Sequence, residues 1–128
     1  MGEKLRIAVI GSGVMGQTHI RCYHELKRAE VVAVCDGDIE KAQSAAAICG
    51  SRYYASAEEM FKKEEIDLFD ICLPTFLHTH YAVLAMEHGI KNILIEKPVC
   101  STPTEARVLL ETQRRTGANV QVAQVIRF

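Results

Sequence analysis

Residues 5–36 read LRIAVIGSGVMGQTHIRCYHELKRAEVVAVCD, and the fold turns on how this stretch is read. Leu5 to Ile10 is a compact apolar run of strand length. Gly11-Ser12-Gly13-Val14-Met15-Gly16 follows at once, and a helical pattern then runs from about Val14 to Lys27. Glu30 to Asp36 is a second short run rich in β-branched residues, and Asp36 stands 20 residues beyond Gly16. Alone, G-x-G-x-x-G is a cheap pattern in a chain with eight glycines. Between a strand and a helix, with an acid at that distance ending the next strand, it is a dinucleotide-binding fingerprint.

Each position in the fingerprint has a physical task. Gly11 allows the tight turn, Gly13 lets backbone approach a pyrophosphate, and Gly16 lets the helix pack close to the first strand. The amides around Val14 and Met15 open a helix, so they present free N–H donors and a positive dipole end to phosphate. Asp36 can accept hydrogen bonds from the adenosine ribose hydroxyls. Its charge repels a 2′-phosphate, and Gly37-Asp38 supplies no arginine to receive one. NAD is therefore the predicted cofactor, in preference to NADP.

Strand and helix alternate along the rest of the chain. Asp38 is placed to cap a helix that Gly50 ends, Arg52 to Tyr54 is a weak third strand, and Ser56 with Glu59 predicts a capping box. Asp67 to Leu73 is a fourth strand, Thr75 to His88 a helix closed by Gly89, and Lys91 to Ile95 a fifth strand. Thr102, Pro103 and Glu105 supply an N-cap, a proline in the first helical position and a capping-box partner for a helix reaching Thr116. Val120 to Val125 is the sixth strand. Strands one, two, four and five are apolar on both faces, which suits a parallel sheet covered by helices on both sides. The predicted fold is α/β, a doubly wound sheet of order 3-2-1-4-5-6, with residues 1–128 forming one dinucleotide-binding domain.

Bulk properties narrow the function. The 128 residues are 48% hydrophobic and 24% charged, which is globular composition, and a net charge of −1 without a basic stripe excludes a nucleic-acid footprint. No apolar stretch approaches the ~18 residues of a spanning helix. The first glycine turn lies too near Met1 to leave room for a signal peptide, so a cytoplasmic location and no membrane partner are expected. Cys22, Cys35, Cys49, Cys72 and Cys100 are odd in number and never spaced as C-x-x-C, so neither a disulfide framework nor a metal site is predicted.

In a doubly wound sheet, ligands collect outside the carboxyl ends of the strands, and Gly11, Asp36, Pro74-Thr75 and Glu96-Lys97-Pro98 all stand at such ends. This explains why the apolar run Ile93-Leu94-Ile95 stops in two opposite charges and a proline: they face the crevice. Pro98 biases Lys97 toward an extended conformation, and the sequence leaves the Lys97-Pro98 bond open between cis and trans.

The stretches IAVIGSGVMGQTHI, VVAVCD, the EEM of the third helix, DICLPTFLHTHYAVLAMEHGI and ILIEKPV together resemble the glucose–fructose oxidoreductase / inositol dehydrogenase (Gfo/Idh/MocA) family of NAD(P)-dependent oxidoreductases. The resemblance implies that Lys97 reaches the nicotinamide and substrate side of the crevice, orients the reacting hydroxyl and assists proton transfer, as the catalytic residue of this half. It implies that Glu96 lies on the cofactor side, near the nicotinamide ribose, and that His78 stands near the cofactor. Thr75 is expected to cap its helix and also to touch the cofactor. The predicted cofactor set is thus Gly11, Gly13, Val14, Met15, Gly16, Asp36, Thr75, His78, Glu96 and Lys97. His80 falls on a different helix face from His78, a poor metal clamp, and His19, His24 and His88 read as structural or surface residues.

The resemblance implies a second α+β domain that forms the substrate wall and supplies an aspartate and a histidine, and residues 1–128 are expected to lack it. The implied activity is hydride transfer between NAD and a hydroxyl of a sugar, polyol or related compound, with the 128 residues alone expected to be inactive. Two alternatives stand beside it: a free-standing NAD-binding or redox-sensing module, and NAD-assisted glycoside cleavage. An apolar surface from Val120 to Phe128 predicts self-association, hence a homo-oligomer.

Overall fold

The computed structural model describes residues 3–123. Six strands form one sheet: β1 (Leu5–Ile10), β2 (Ala29–Cys35), β3 (Arg52–Tyr54), β4 (Leu68–Ile71), β5 (Asn92–Glu96) and β6 (Asn119–Ala123). Their order is β3-β2-β1-β4-β5-β6, and every adjacent pair is parallel. The expected topology is present. Five α-helices connect the strands: α1 (Val14–Glu25), α2 (Ile39–Ala46), α3 (Ala57–Lys63), α4 (His78–Glu87) and α5 (Pro103–Thr116).

The two-sided burial of β1 organises the core. Ile7 and Val9 pack with Ile20 of α1 and with Ala45 and Ala46 of α2. Ala8 and Ile10 point the other way, into a layer holding Met60 of α3, Ala82, Ala85 and Met86 of α4, and Leu109 of α5. Side chains alternate across a strand, so the part covered on both faces must be apolar at every position, as Ile7 to Ile10 are. Burying each large aliphatic side chain of these layers contributes roughly 1.5–3 kcal/mol.

Register then decides where the site lies. Ile10 pairs with Cys35 on one side and Ile71 on the other, and Ile71 pairs with Ile95. A register shift between Ile7 and Ala8 takes up one extra residue of β2 and preserves this alignment. Four strand ends therefore finish level, and Gly11, Asp36, Cys72 and Glu96 emerge along one edge of the sheet.

Local differences from expectation have local causes. The capping box of α5 is complete: Thr102 Oγ1 accepts from Glu105 N at 3.1 Å and Glu105 Oε1 accepts from Thr102 N at 3.2 Å. That of α3 is half made, because Ser56 accepts from Glu59 N while the Glu59 carboxylate pairs with Lys63 one turn on at 2.9 Å. The helix expected from Thr75 opens as a 3-10 turn, Thr75–Leu77, closed by Leu77 N donating to Pro74 O, and α4 starts only at His78. Helix α2 stops at Ala46, and tighter turns carry the chain on to Gly50. Of the sixth strand, residues 124 and 125 lie outside the described residues, as does most of the surface expected to self-associate. No helix among the described residues is long and apolar enough to cross a membrane.

Candidate functional site

The glycine turn is built by exclusion. At Gly11 φ is 98°, a left-handed value that side chains avoid, and a Cβ there would lie 2.4 Å from the Cys72 carbonyl oxygen. A Cβ on Gly16 would lie 1.8 Å from the Gly11 carbonyl oxygen, so α1 rests directly on the turn after β1. Gly13 differs from both: among the described residues no atom comes within 4 Å of the Cβ it lacks. Gly13 is also the N-cap of α1, with no side chain to satisfy the first amides, and Val14 beyond it is 81% exposed. The turn thus presents the first amides of a helix without a side-chain cap, open on the side a diphosphate would approach, so it fits such a group.

Asp36 is tied to that turn. Its Oδ2 accepts from Ser12 N at 3.0 Å and from Ser12 Oγ at 2.6 Å, and its Oδ1 accepts from Asp38 N at 2.9 Å. Burial works to raise the Asp36 carboxyl, but the Ser12 hydroxyl and the two backbone donors outweigh it and hold the group below the ordinary carboxylate value. It is a fixed anion with lone pairs remaining for hydroxyl donors. Ser12 is a site residue that sequence reasoning missed. A hydroxyl in the first variable position of the glycine motif was the available signal.

The ends of β4 and β5 make the other half of the crevice. Glu96 closes β5, Lys97 follows it exposed, and the Lys97-Pro98 bond is cis. His78, expected near the cofactor, does not open onto solvent. It is 1% exposed, with Nδ1 3.0 Å from Pro98 O and Nε2 2.6 Å from Leu73 O, so each ring nitrogen faces a backbone carbonyl. It braces the turn after β5 against the turn after β4 from behind. Thr75 does not cap α4 either: the N-cap positions fall on Pro74 and Leu77, neither of which carries a capping side chain. Thr75 remains half-buried at the crevice edge, and His80 is exposed on another face, as its spacing requires.

His19 is the larger surprise. Expected as a structural or surface residue, it reaches across the crevice floor from α1. Its Nδ1 lies 2.6 Å from Asp70 Oδ2 and its Nε2 lies 2.7 Å from Glu96 Oε1. Asp70, on β4, is fully buried and also accepts from the Tyr23 hydroxyl at 2.5 Å. The hydrogen bond to Asp70 raises His19 above the ordinary histidine value against the opposing effect of burial, and Glu96 adds to the rise. Burial first, and Asp70 second, push the Tyr23 phenol and the Cys72 thiol up, so both stay protonated. The missed signal was Asp70 itself: an acid inside an apolar buried strand demands a partner.

His19, Asp70 and Cys72 bring ligand-type atoms within 4.8 Å of one another. Two ligands on a tetrahedral ion at ~2.0–2.2 Å stand about 3.3 Å apart. The 2.6 Å approach of His19 to Asp70 is instead that of a hydrogen bond.

The profile of an oxidoreductase family with an NAD-binding Rossmann fold, Gfo/Idh/MocA, matches residues 5–124. This chain belongs to the Gfo/Idh/MocA family. Among Gfo/Idh/MocA relatives, an inositol 2-dehydrogenase of Pseudarthrobacter chlorophenolicus is 37% identical over 131 residues, spanning 100% of this chain and 39% of that protein. A D-glucoside 3-dehydrogenase of Escherichia coli is 32% identical over 115 residues, spanning 88% of this chain and 32% of that protein. The crystal structure of the WlbA dehydrogenase from Bordetella pertussis in complex with NADH and UDP-GlcNAcA superposes with a TM-score of 0.89 at 25% identity, over 94% of this chain and 37% of that one. The chain therefore spans 32–39% of the length of these relatives, the share of an NAD(P)-binding Rossmann domain.

Proposed function

We propose that this domain binds NAD and serves hydride transfer between the nicotinamide and a hydroxyl of a sugar, polyol or related compound. One observation carries the reading: Glu96, next to Lys97, lies at ion-pair distance from His19 of the helix that the glycine turn opens. The phosphate cradle and the Glu96-Lys97-Pro98 segment thus border one crevice. Gly11, Gly13, the amides of Val14 and Met15, and Gly16 hold the diphosphate. Asp36, preset by Ser12, takes the adenosine ribose hydroxyls and repels a 2′-phosphate, which favours NAD over NADP. Glu96 and Thr75 flank the nicotinamide half. A bound nicotinamide supplies the hydride acceptor or donor. Lys97 orients the reacting hydroxyl and moves its proton at Nζ. The sugar and polyol dehydrogenases among the relatives support the substrate class.

Calorimetric titration with NADH and NADPH tests the cofactor reading. NADH is expected to bind more tightly; tighter NADPH overturns the preference, and no heat with either overturns the site. In an enzyme that carries this domain together with a substrate wall, Lys97→Ala is expected to lower turnover by roughly 10²–10⁴-fold with little change in cofactor affinity. Unchanged turnover removes Lys97 from the chemistry.

A further inference from the structure

We propose that His19 is a positioning residue: doubly protonated, it straps the buried Asp70 to Glu96 and so fixes Glu96, and Lys97 after it, at the nicotinamide end of the crevice. The inference deepens the dinucleotide reading and rests on it for the ligand, but the strap itself is a property of the chain alone.

Donor and acceptor arithmetic leads there. A neutral imidazole has one N–H and one lone pair, and ionised carboxylates only accept. Both His19 nitrogens stand beside carboxylate oxygens, Nδ1 in a 2.6 Å hydrogen bond to Asp70 and Nε2 at a 2.7 Å ion-pair distance from Glu96. Both contacts are favourable only if both nitrogens carry a proton. Asp70 gives the reason for the charge. A carboxylate with 0% exposure needs a cation, and among the described residues its partners are His19, the Tyr23 hydroxyl and the Cys72 thiol, with no lysine or arginine. The imidazolium supplies that cation, and its Nε2 side stands at ion-pair distance, 2.7 Å, from the Glu96 carboxylate.

The two ends of the strap are unequal. Asp70 is sealed in the sheet, whereas the Glu96 side chain is 19% exposed at the crevice. When the ring loses a proton, the buried carboxylate keeps its donor at Nδ1, and the Nε2 lone pair turns against the Glu96 carboxylate. Glu96 is released and the Lys97 segment loses its anchor. Among the described residues the titratable groups facing His19 are Tyr23 on α1, Asp70 and Cys72 at the end of β4, and Glu96 at β5; Cys22 on α1 acts on Tyr23. Of these, Tyr23 and Cys72 are pushed upward and stay protonated while His19 titrates. Because His19 is raised above its ordinary value, the strap is complete below the ordinary histidine range and opens as pH rises through the elevated one.

The test uses the full chain with ¹⁵N-labelled histidine. At pH 7 the His19 resonances are expected to report two protonated nitrogens, and Glu96→Gln, a change at the crevice end of the strap, is expected to lower the titration midpoint. NADH titrations across the same pH range should give an affinity that is constant below the His19 midpoint and falls above it. Glu96→Gln and His19→Gln should remove that inflection and weaken binding at pH 7 by about tenfold, the worth of one hydrogen bond to a charged group. A singly protonated His19 at pH 7, or a midpoint that Glu96→Gln does not move, overturns the strap whatever NADH does. An intact strap with a pH-independent NADH affinity overturns the positioning role. Wild-type chain that shows the strap and never binds NADH overturns the dinucleotide reading instead. Should His19→Gln fail to fold, Glu96→Gln and the wild-type spectrum decide the matter.

Discussion

Gly16 and Gly13 are two residues of one motif with opposite physics, and substituting alanine at each separates them. At Gly16 the new methyl would lie 1.8 Å from the Gly11 carbonyl oxygen, a rigid backbone atom. Reaching even the 3.0 Å floor of real Cβ contacts requires α1 or the turn to retreat by about 1.2 Å. The retreat lifts Ile20, fully buried against the Ile7 and Val9 layer, and loosens the row of amides over the crevice. Overpacking costs ~1–3 kcal/mol and partial loss of the Ile20 burial adds to it, so Gly16→Ala is expected to destabilise the chain by about 3 kcal/mol. With a urea slope of ~2 kcal/mol/M, the midpoint falls by roughly 1.5 M. At Gly13 φ is −74°, a value any residue adopts, and the methyl meets open space. Gly13→Ala therefore leaves the urea midpoint within about 0.5 kcal/mol of wild type, because alanine's poorer capping is offset by a less flexible unfolded chain. Its methyl stands where the diphosphate would approach, so NADH affinity is expected to fall by at least about tenfold, or ~1.4 kcal/mol. Urea melts followed by circular dichroism, with calorimetry for NADH, read both quantities. A Gly16→Ala chain as stable as wild type, or a Gly13→Ala chain that binds NADH unchanged, refutes this account of the turn.

Two further outcomes follow from polar groups outside the crevice. Hydrogen bonds from the Arg6 side chain, and then from its backbone, hold Asp67 below its ordinary 3.8, and the Arg52 side chain holds Glu64 below its ordinary 4.5. A depressed folded value contributes stability that is present above the ordinary value and lost as pH falls through the folded one, so the urea midpoint should decline below about pH 4. Asp67→Asn should flatten part of that decline, and an unchanged acid limb would sink the assignment. Thr102→Ala removes the hydroxyl half of the α5 capping box and is expected to cost ~1 kcal/mol, read as a fall of about 0.5 M in the urea midpoint; no fall would show that the cap contributes nothing.

The cofactor half of this protein was readable from local pattern because its devices are local. A strand apolar on both faces, a turn that needs glycine, a helix N-terminus and an acid at the next strand end each leave a mark within a few residues. The level finish of the strands follows once all the pairs are parallel, which the strand–helix alternation itself demands. What the pattern could not decide was which side chains meet across strands distant in the chain. His19 reaches Asp70 and Glu96, 51 and 77 residues away, only because β1, β4 and β5 are neighbours and α1 lies over their ends. His78, placed in the same crevice by resemblance, is turned inward by two carbonyls that the adjoining turns bring to it. A histidine's role is set by what faces its two nitrogens. Sequence supplies the ring, but tertiary packing chooses its partners, since only a sheet covered on both faces can bury a carboxylate and oblige a distant imidazole to carry charge beside it.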